Sequence, residues 1–247
     1  MRVANVLPSV AQLVLAASLA YSVEAHGVRD APGASNETEP ERCASHRMPY
    51  NSQCTGCPPM YDGKLCASTT RYNDRVMGSC GCAEGRIGSQ ATELPGYHWS
   101  LTSYTAALNA KSLDPKDPLL AWCPSLCGQC YRLCSTGGSA QGRLQFPKTD
   151  ECRVFKIINR CGDGYKQYPE WCSNELSWSE CQDNPAACAR ENSTNMFGYS
   201  AHFDLQDADL QVTAGLGWDN IEVTFELVSC KLWEGPPESP CPACEAQ

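Results

Sequence analysis

The chain has 247 residues, 18 of them cysteine, and a formal net charge of −9. That acidic balance argues against nucleic acid or an anionic membrane surface as partner, since both carry charge of the same sign. It suits a soluble protein that acts on a neutral polymer.

Residues 1–25 read as a secretory signal. Arg2 supplies the charged end, Val10 to Ala20 forms an apolar run interrupted by Gln12, and Val23-Glu24-Ala25 offers a small-residue cleavage site. The run is too short for a bilayer span, so no membrane association is expected. An exported chain meets an oxidising compartment, and its 18 cysteines read as a framework of up to nine disulfides. Zinc is the competing reading, because Cys54-x-x-Cys57, Cys127-x-x-Cys130 and Cys241-x-x-Cys244 have ligand-like spacing. Export favours disulfides, and Cys134 with Cys152 and Cys181 with Cys188 are the local pairs expected first.

Residues 26–42 are polar and Pro/Glu-rich and read as a disordered leader, leaving 43–247 as a single domain with its core at about 54–230. Asn36-Glu37-Thr38 and Asn192-Ser193-Thr194 are glycosylation sequons, which predict surface loops. Cys43 to Cys66 reads as a loop stapled to the body.

From Thr69 the chain becomes extended, and a turn-rich, cysteine-locked segment follows to Cys82. In a strand Thr70, Tyr72 and Asp74 share one face, which sets a hydroxyl, an aromatic platform and a carboxylate side by side. Ser100 to Lys111 reads as a helix capped by Ser100 and stopped by Pro115 and Pro118. Gln129 to Cys134 reads as a strand ending at a Gly137-Gly138 turn, and 139–152 as a hairpin tip. Arg153 to Arg160 is a strand built on Phe155 and Ile157, and 161–195 a long pinned loop. Tyr199 to Leu205 is a strand, with Phe203 and Leu205 on one face and His202 and Asp204 on the other. Ile221 to Ser229 alternates Ile221, Val223, Phe225 and Leu227 with Glu222, Thr224 and Glu226, which predicts one buried and one wet face. Short strands, few helices and dense cysteines together point to a closed β-barrel or a sandwich. Two acids presented from two strands across a groove are the minimum for cutting a glycosidic bond.

Thr70-Arg71-Tyr72-x-Asp74, Gly78-Ser79-Cys80-Gly81-Cys82, Cys127-Gly128-Gln129-Cys130 and His202-Phe203-Asp204 resemble, in order and spacing, glycoside hydrolase family 45, the endo-β-1,4-glucanases. Cys66-Ala67-Ser68-Thr69-Thr70 and Gly215-Leu216-Gly217-Trp218 resemble its animal, mollusc-type branch. The resemblance implies a mainly β fold, a six-stranded double-psi β-barrel with long disulfide-pinned loops and a few short helices. It implies inverting hydrolysis of internal bonds in a β-1,4-glucan, with Asp204 as general acid and Asp74 as general base. Thr70, Tyr72 and Trp218 are expected to bind substrate, Tyr72 beneath a sugar ring and Trp218 further along the groove. No cofactor and no metal are implied, and the chain is expected to act as a monomer. Trp99, Trp122, Trp171 and Trp178 read as packing, and His202 as a structural hydrogen-bonding residue. One departure stands out: 195–201 carries no acid where many fungal members place a further carboxylate, so no third catalytic carboxylate is carried over. Asn159 is expected to face the groove.

A non-hydrolytic, expansin-like wall-loosening protein is the alternative, because expansins share the barrel and a His-Phe-Asp strand. They lack the family 45 base in its usual setting and normally carry a second, β-sandwich domain. A small carbohydrate-binding defence protein of the barwin type needs no paired acids. Asp74 in its full Thr-x-Tyr-x-Asp context favours hydrolysis.

Overall fold

The computed structural model describes residues 51–82, 89–94, 96–109, 126–140, 147–162, 172, 183–184, 194–195 and 197–236. The signal, the leader, the sequon asparagines Asn36 and Asn192, the Cys181 and Cys188 pair, Cys241-x-x-Cys244, Trp122, Trp171 and Trp178 lie outside them. No helix among the described residues is long and apolar enough to cross a membrane.

Seven strands follow in order: β1 (Met60–Tyr61), β2 (Lys64–Tyr72), β3 (Thr105–Asn109), β4 (Cys130–Ser139), β5 (Cys152–Cys161), β6 (His202–Gln206) and β7 (Ile221–Val228). The last six close on themselves in the order β2-β6-β3-β5-β4-β7, with β7 returning to β2. Closure removes the exposed strand edges that a sandwich keeps. The β2–β6 and β3–β5 pairs are parallel and the others antiparallel. This ring is the expected six-stranded barrel of double-psi type, with β1 as a short hairpin on β2.

The core is the inward face of these strands: Ala67, Ala106, Leu108, Leu133, Phe155, Ile157, Phe203, Leu205, Ile221 and Val223 are buried together. Phe203 packs between Tyr131 and Phe225, at ring separations of 5.7 and 5.5 Å. A ring this size buries enough apolar surface to contribute a few kcal/mol, about 1.5–3 for each such side chain.

Sequence expectations change on β3 and on β7. The helix predicted over Ser100 to Lys111 is only the four-residue α1 (Trp99–Thr102), and Thr105–Asn109 is β3, buried throughout. Ala106, Ala107 and Leu108 suit a helix in isolation, but β5 and β6 flank them and their backbone pairs with both. Tertiary pairing overrides local propensity here. The second change is on β7, where Glu222 and Thr224 are as buried as their apolar neighbours, while Leu227 is 62 % exposed. Val228 packs on the core instead, so the inside–outside phase slips at the strand's end.

Glu222 is fully buried because a ring of donors surrounds it. The backbone N–H of Gln53 (2.9 Å) and Cys54 (3.3 Å), Thr136 Oγ1 (2.5 Å), Tyr199 Oη (2.5 Å) and Ser52 Oγ all point at its carboxylate. Charge on a buried acid is tolerated when donors replace the lost water. The acid thereby ties residues 52–54, β4 and the 199 segment to β7.

Five bridges are visible among the described cysteines: Cys54–Cys66, Cys80–Cys127, Cys130–Cys230, Cys134–Cys152 and Cys161–Cys172. Cys134–Cys152 is the expected local pair. Cys54, Cys127 and Cys130 bond to distant partners, which removes the zinc reading of their Cys-x-x-Cys spacings. The strand predicted to end at a Gly137-Gly138 turn instead runs on to Ser139, with a register shift after Ser135.

A directed hydrogen-bond chain beside two carboxyl groups

The parallel register of β2 and β6 sets Ser68 opposite His202 and Thr70 opposite Asp204. All four side chains leave the barrel wall on the face away from Phe203 and Leu205, as alternation requires. Ser68 Oγ lies 2.8 Å from His202 Nδ1, Thr70 Oγ1 lies 2.9 Å from His202 Nε2, and Thr70 Oγ1 lies 2.8 Å from Asp204 Oδ1. Asn195 Nδ2 lies 2.8 Å from Ser68 Oγ and begins the chain.

The direction of every proton in this chain follows from Asn195. Its Oδ1 accepts the backbone N–H groups of Phe197 (3.0 Å) and Tyr199 (3.1 Å), which leaves only its NH2 to face Ser68. Ser68 therefore accepts from Asn195, and because His202 Nδ1 is the one other hydrogen-bonding partner of its buried hydroxyl among the described residues, it donates there. A neutral imidazole with Nδ1 as acceptor carries its proton on Nε2. Thr70 accepts that proton's hydrogen bond and gives its own hydrogen to Asp204 Oδ1. Burial holds His202 neutral by lowering its pKa to about 3. One oxygen of Asp204 is thus a permanent acceptor, and the ionisable proton of this carboxyl is confined to Oδ2.

Asp204 is buried, and burial raises its pKa to about 7. The Thr70 hydrogen bond pulls it down and the nearby Asp74 charge pushes it up, both less strongly than burial. Around Oδ2 the structure places Cys161 Sγ at 3.9 Å. Cys161, Cys172 and a ring nitrogen of His202 gather within 4.8 Å, but the two sulfurs are bonded to each other and offer no thiolate to a metal.

Asp74 lies just past β2 on an exposed turn, where its Oδ1 accepts the N–H of Val76 (3.2 Å). Partial loss of hydration raises its pKa and the Val76 N–H opposes that. The turn is held firmly. Arg75, at φ 58°, donates from Nη2 to Ala208 O (2.8 Å), and Met77 N–H donates to Ser89 O (2.9 Å). Beyond it Gly78 lies so close to β5 that a Cβ would stand 2.4 Å from Ile158 O. The segment is pinned there by Ser79 N–H to Asn159 Oδ1 (2.9 Å) and by the Cys80–Cys127 bridge.

Tyr72, at the end of β2, feels both Asp74 and Asp204, and burial together with these charges raises its pKa well above the usual value. Its ring packs on Ala107, Cys161 and Cys172. The structure therefore gathers Thr70, Tyr72, Asp74 and Asp204. Thr70 serves the carboxyl of Asp204, with its hydroxyl committed to that chain and buried. Trp218 is not part of this group, which corrects the expectation of a groove platform. It is 1 % exposed and stacks on Phe155 in the core at 6.0 Å. Asp207 curls the 207–218 loop by accepting from Val212 N–H (2.9 Å), Thr213 N–H (3.1 Å) and Thr213 Oγ1 (2.7 Å), and Gln211 Nε2 ties it to the body by donating to Leu101 O (2.9 Å) and Gln206 O (2.9 Å). Asn159, expected to face the groove, spends its oxygen on Ser79 N–H (2.9 Å) and Arg160 N–H (2.8 Å). Trp99 packs on Tyr97 and Trp233, as expected. Ser68, Asn195 and the Cys161–Cys172 bridge were missed. The i, i+2 spacing of Ser68 with Thr70 and of His202 with Asp204 was the available signal for the first of them.

A model of the EXPB1-like domain 1 family matches residues 67–235. An endoglucanase of Mytilus edulis is 33 % identical over 180 residues, which cover 73 % of this chain and 87 % of that protein. The chain belongs to glycoside hydrolase family 45. The solved structure of the β-1,4-D-endoglucanase Cel45A from the same mussel superposes with a TM-score of 0.63 at 32 % identity, covering 79 % of this chain and 98 % of that one. A family 45 endoglucanase, EG27II, solved in complex with cellobiose, superposes with a TM-score of 0.55 at 37 % identity over 70 % of this chain and 84 % of that one. Endoglucanase-5 of Hypocrea jecorina is 31 % identical over 66 % of this chain and 56 % of its own length. The family 45 chain described here is accordingly a cellulase-type glycoside hydrolase.

Proposed function

We propose that this family 45 enzyme is exported and cuts internal β-1,4-glucosidic bonds with inversion, Asp204 as general acid and Asp74 as general base. One observation carries the reading: the two carboxyls sit in environments that drive their roles apart. Asp204 is buried, with a pKa raised to about 7, and its proton is confined to Oδ2. Asp74 is exposed on its turn with a backbone N–H to stabilise the ionised form. Pairs of acids in unlike environments are how one site supplies both an acid and a base near neutral pH.

In this mechanism Asp204 Oδ2 gives its proton to the leaving glycosidic oxygen as the C1–O bond breaks. Asp74 takes a proton from a water that attacks C1 on the opposite face, and the new C1–OH has the inverted configuration. The cycle leaves Asp204 ionised and Asp74 protonated, and exchange with solvent restores both. An inverting pair stands about 6.5–9.5 Å apart to admit that water. Tyr72, between the two acids, offers its ring as the platform for the sugar at the cleavage point. Thr70 acts through Asp204 by holding Oδ1. Disulfides throughout the barrel support export.

The test is release of reducing ends from soluble β-1,4-glucan by the purified protein, with the anomer of the first product read by proton NMR. The α-anomer is expected. Retention of β would remove Asp74 as a water-activating base. The match to an expansin-type domain model keeps one second reading alive, a barrel that loosens glucan without cutting it. Binding with no new reducing ends would favour it.

A further inference from the structure

The hydrogen-bond chain accounts for Oδ1 of Asp204 and leaves Oδ2 to its other surroundings. Beside it in the wall stands a sulfur, Cys161 Sγ at 3.9 Å, and that sulfur has no hydrogen to donate because it is bonded to Cys172. Both half-cystines are 1 % exposed. Ala107 of β3 is the cross-strand partner of Asp204 and packs on the same bridge, with the Tyr72 ring against them. Side chains directly opposite on neighbouring strands stand on the same face. Oδ2 thus abuts a wall made of a disulfide and a methyl group.

We propose that the Cys161–Cys172 bridge is a positioning element of the hydrolytic site: it walls Asp204 Oδ2 from water and so keeps the catalytic proton on that oxygen until a glycosidic oxygen arrives. The proposal rests on the reading of Asp204 as general acid. Its physics is simple. An ionised Oδ2 beside sulfur and methyl has no donor on that side to replace water, so the neutral form is favoured. Burial is the largest influence on this carboxyl, ahead of the Thr70 hydrogen bond and the Asp74 charge. The titratable groups facing it are Asp74 beyond β2, Tyr72 on β2 and, through Thr70, His202 on β6. β3 presents Ala107 and β5 presents Cys161, neither of which carries charge. The bridge is therefore the part of the wall whose loss admits water without altering any neighbouring charge.

The experiment compares pH profiles of kcat/KM on an uncharged soluble β-glucan. In the double variant Cys161→Ala/Cys172→Ala the alkaline limb should move to lower pH by about one unit, which is about a tenfold loss at pH values above both limbs. Cys134→Ala/Cys152→Ala, which removes the hairpin bridge between β4 and β5, should lower Tm and leave the limb in place. Equal shifts in both, or none in the first, would overturn the proposal. Should the double variant not fold, Ala107→Ser keeps the bridge and sets a hydroxyl in the same wall; its limb should also move down, and an unmoved limb counts against the proposal. Asp204→Asn is run alongside. If that variant keeps its activity, the general-acid reading fails. If it is inactive while the limb stays fixed in the wall variants, only the role of the bridge fails.

Discussion

Thr70 and Asp204 are register partners across the parallel β2–β6 pair, and the hydroxyl of one lies 2.8 Å from Oδ1 of the other. That hydrogen bond stabilises the ionised carboxyl and opposes the rise caused by burial. Thr70→Val keeps the shape and removes the donor. The pKa of Asp204 should climb, so the alkaline limb of activity should move to higher pH, opposite to the shift expected on opening the Oδ2 wall. A hydrogen bond to a charged group contributes about 1.5–3 kcal/mol, enough for a shift of about one to two pH units. A pH profile on cello-oligosaccharide decides it.

Asp204→Asn should cut hydrolysis by about 10²–10⁴-fold while leaving glucan binding intact, as loss of a general acid does. For the native enzyme, activity should fall as pH rises through about 7, where Asp204 loses the proton it must donate. Initial rates between pH 4 and 9 check both.

The same carboxyl and His202 act on stability with opposite signs. Between its ordinary 3.8 and its folded value of about 7, Asp204 holds a proton in the folded state that the unfolded chain has released. Its contribution is complete at low pH and is lost as pH rises. His202, lowered from 6.5 to about 3, is neutral when folded while the unfolded chain is protonated, so its contribution is lost as pH falls below 6.5. Each slope is at most about 1.4 kcal/mol per pH unit, and over about pH 4–6.5 they offset one another. Asp204→Asn should unmask the histidine, and its Tm should rise with pH in that window more steeply than the native enzyme's. Calorimetry giving parallel curves would rule out a folded-state proton on Asp204.

Tyr72→Ala should lower kcat as well as raise KM, because a platform between the two acids orients the bond to be cut as well as holding the sugar. Trp218→Ala should instead act on stability, by about 3–5 kcal/mol for a buried aromatic residue, with KM of the surviving folded enzyme little changed. Chemical denaturation and steady-state kinetics on the same preparations separate the two.

Glu222→Ala should destabilise strongly, since it strands Tyr199 Oη, Thr136 Oγ1 and the N–H groups of Gln53 and Cys54 in a buried place. Each orphaned buried donor costs about 1–3 kcal/mol. Urea unfolding should show it, with kcat/KM per folded molecule unchanged.

The alternation in Phe203 and Leu205 against His202 and Asp204 was enough to aim the acid of β6 away from the core, because a strand's two faces are written into a period of two, although the strand begins at His202 and not at Tyr199. Asp74, its Thr-x-Tyr setting and the family resemblance were equally legible in the order of residues, as was the local Cys134–Cys152 bridge. The alternation on β7 misled, since Glu222 is polar in sequence but buried under donors from residues 52–54, 136 and 199. The helix read over Ser100 to Lys111 failed for a related reason: β5 and β6 claim the backbone of Ala106 to Leu108 from both sides, and no local pattern records that. Trp218 reads as a loop platform in sequence, but Asp207 curls that loop, Gln211 ties it to Leu101, and the indole stacks on Phe155. Which oxygen of Asp204 carries the proton is also a tertiary decision. It depends on two backbone N–H groups fixing the Asn195 amide, and on a parallel register that brings Ser68, His202, Thr70 and Asp204 into hydrogen-bond reach. Sequence determines which side chains a face presents; only the closed barrel decides what stands opposite them, because hydrogen-bond direction and burial are properties of partners distant in the chain.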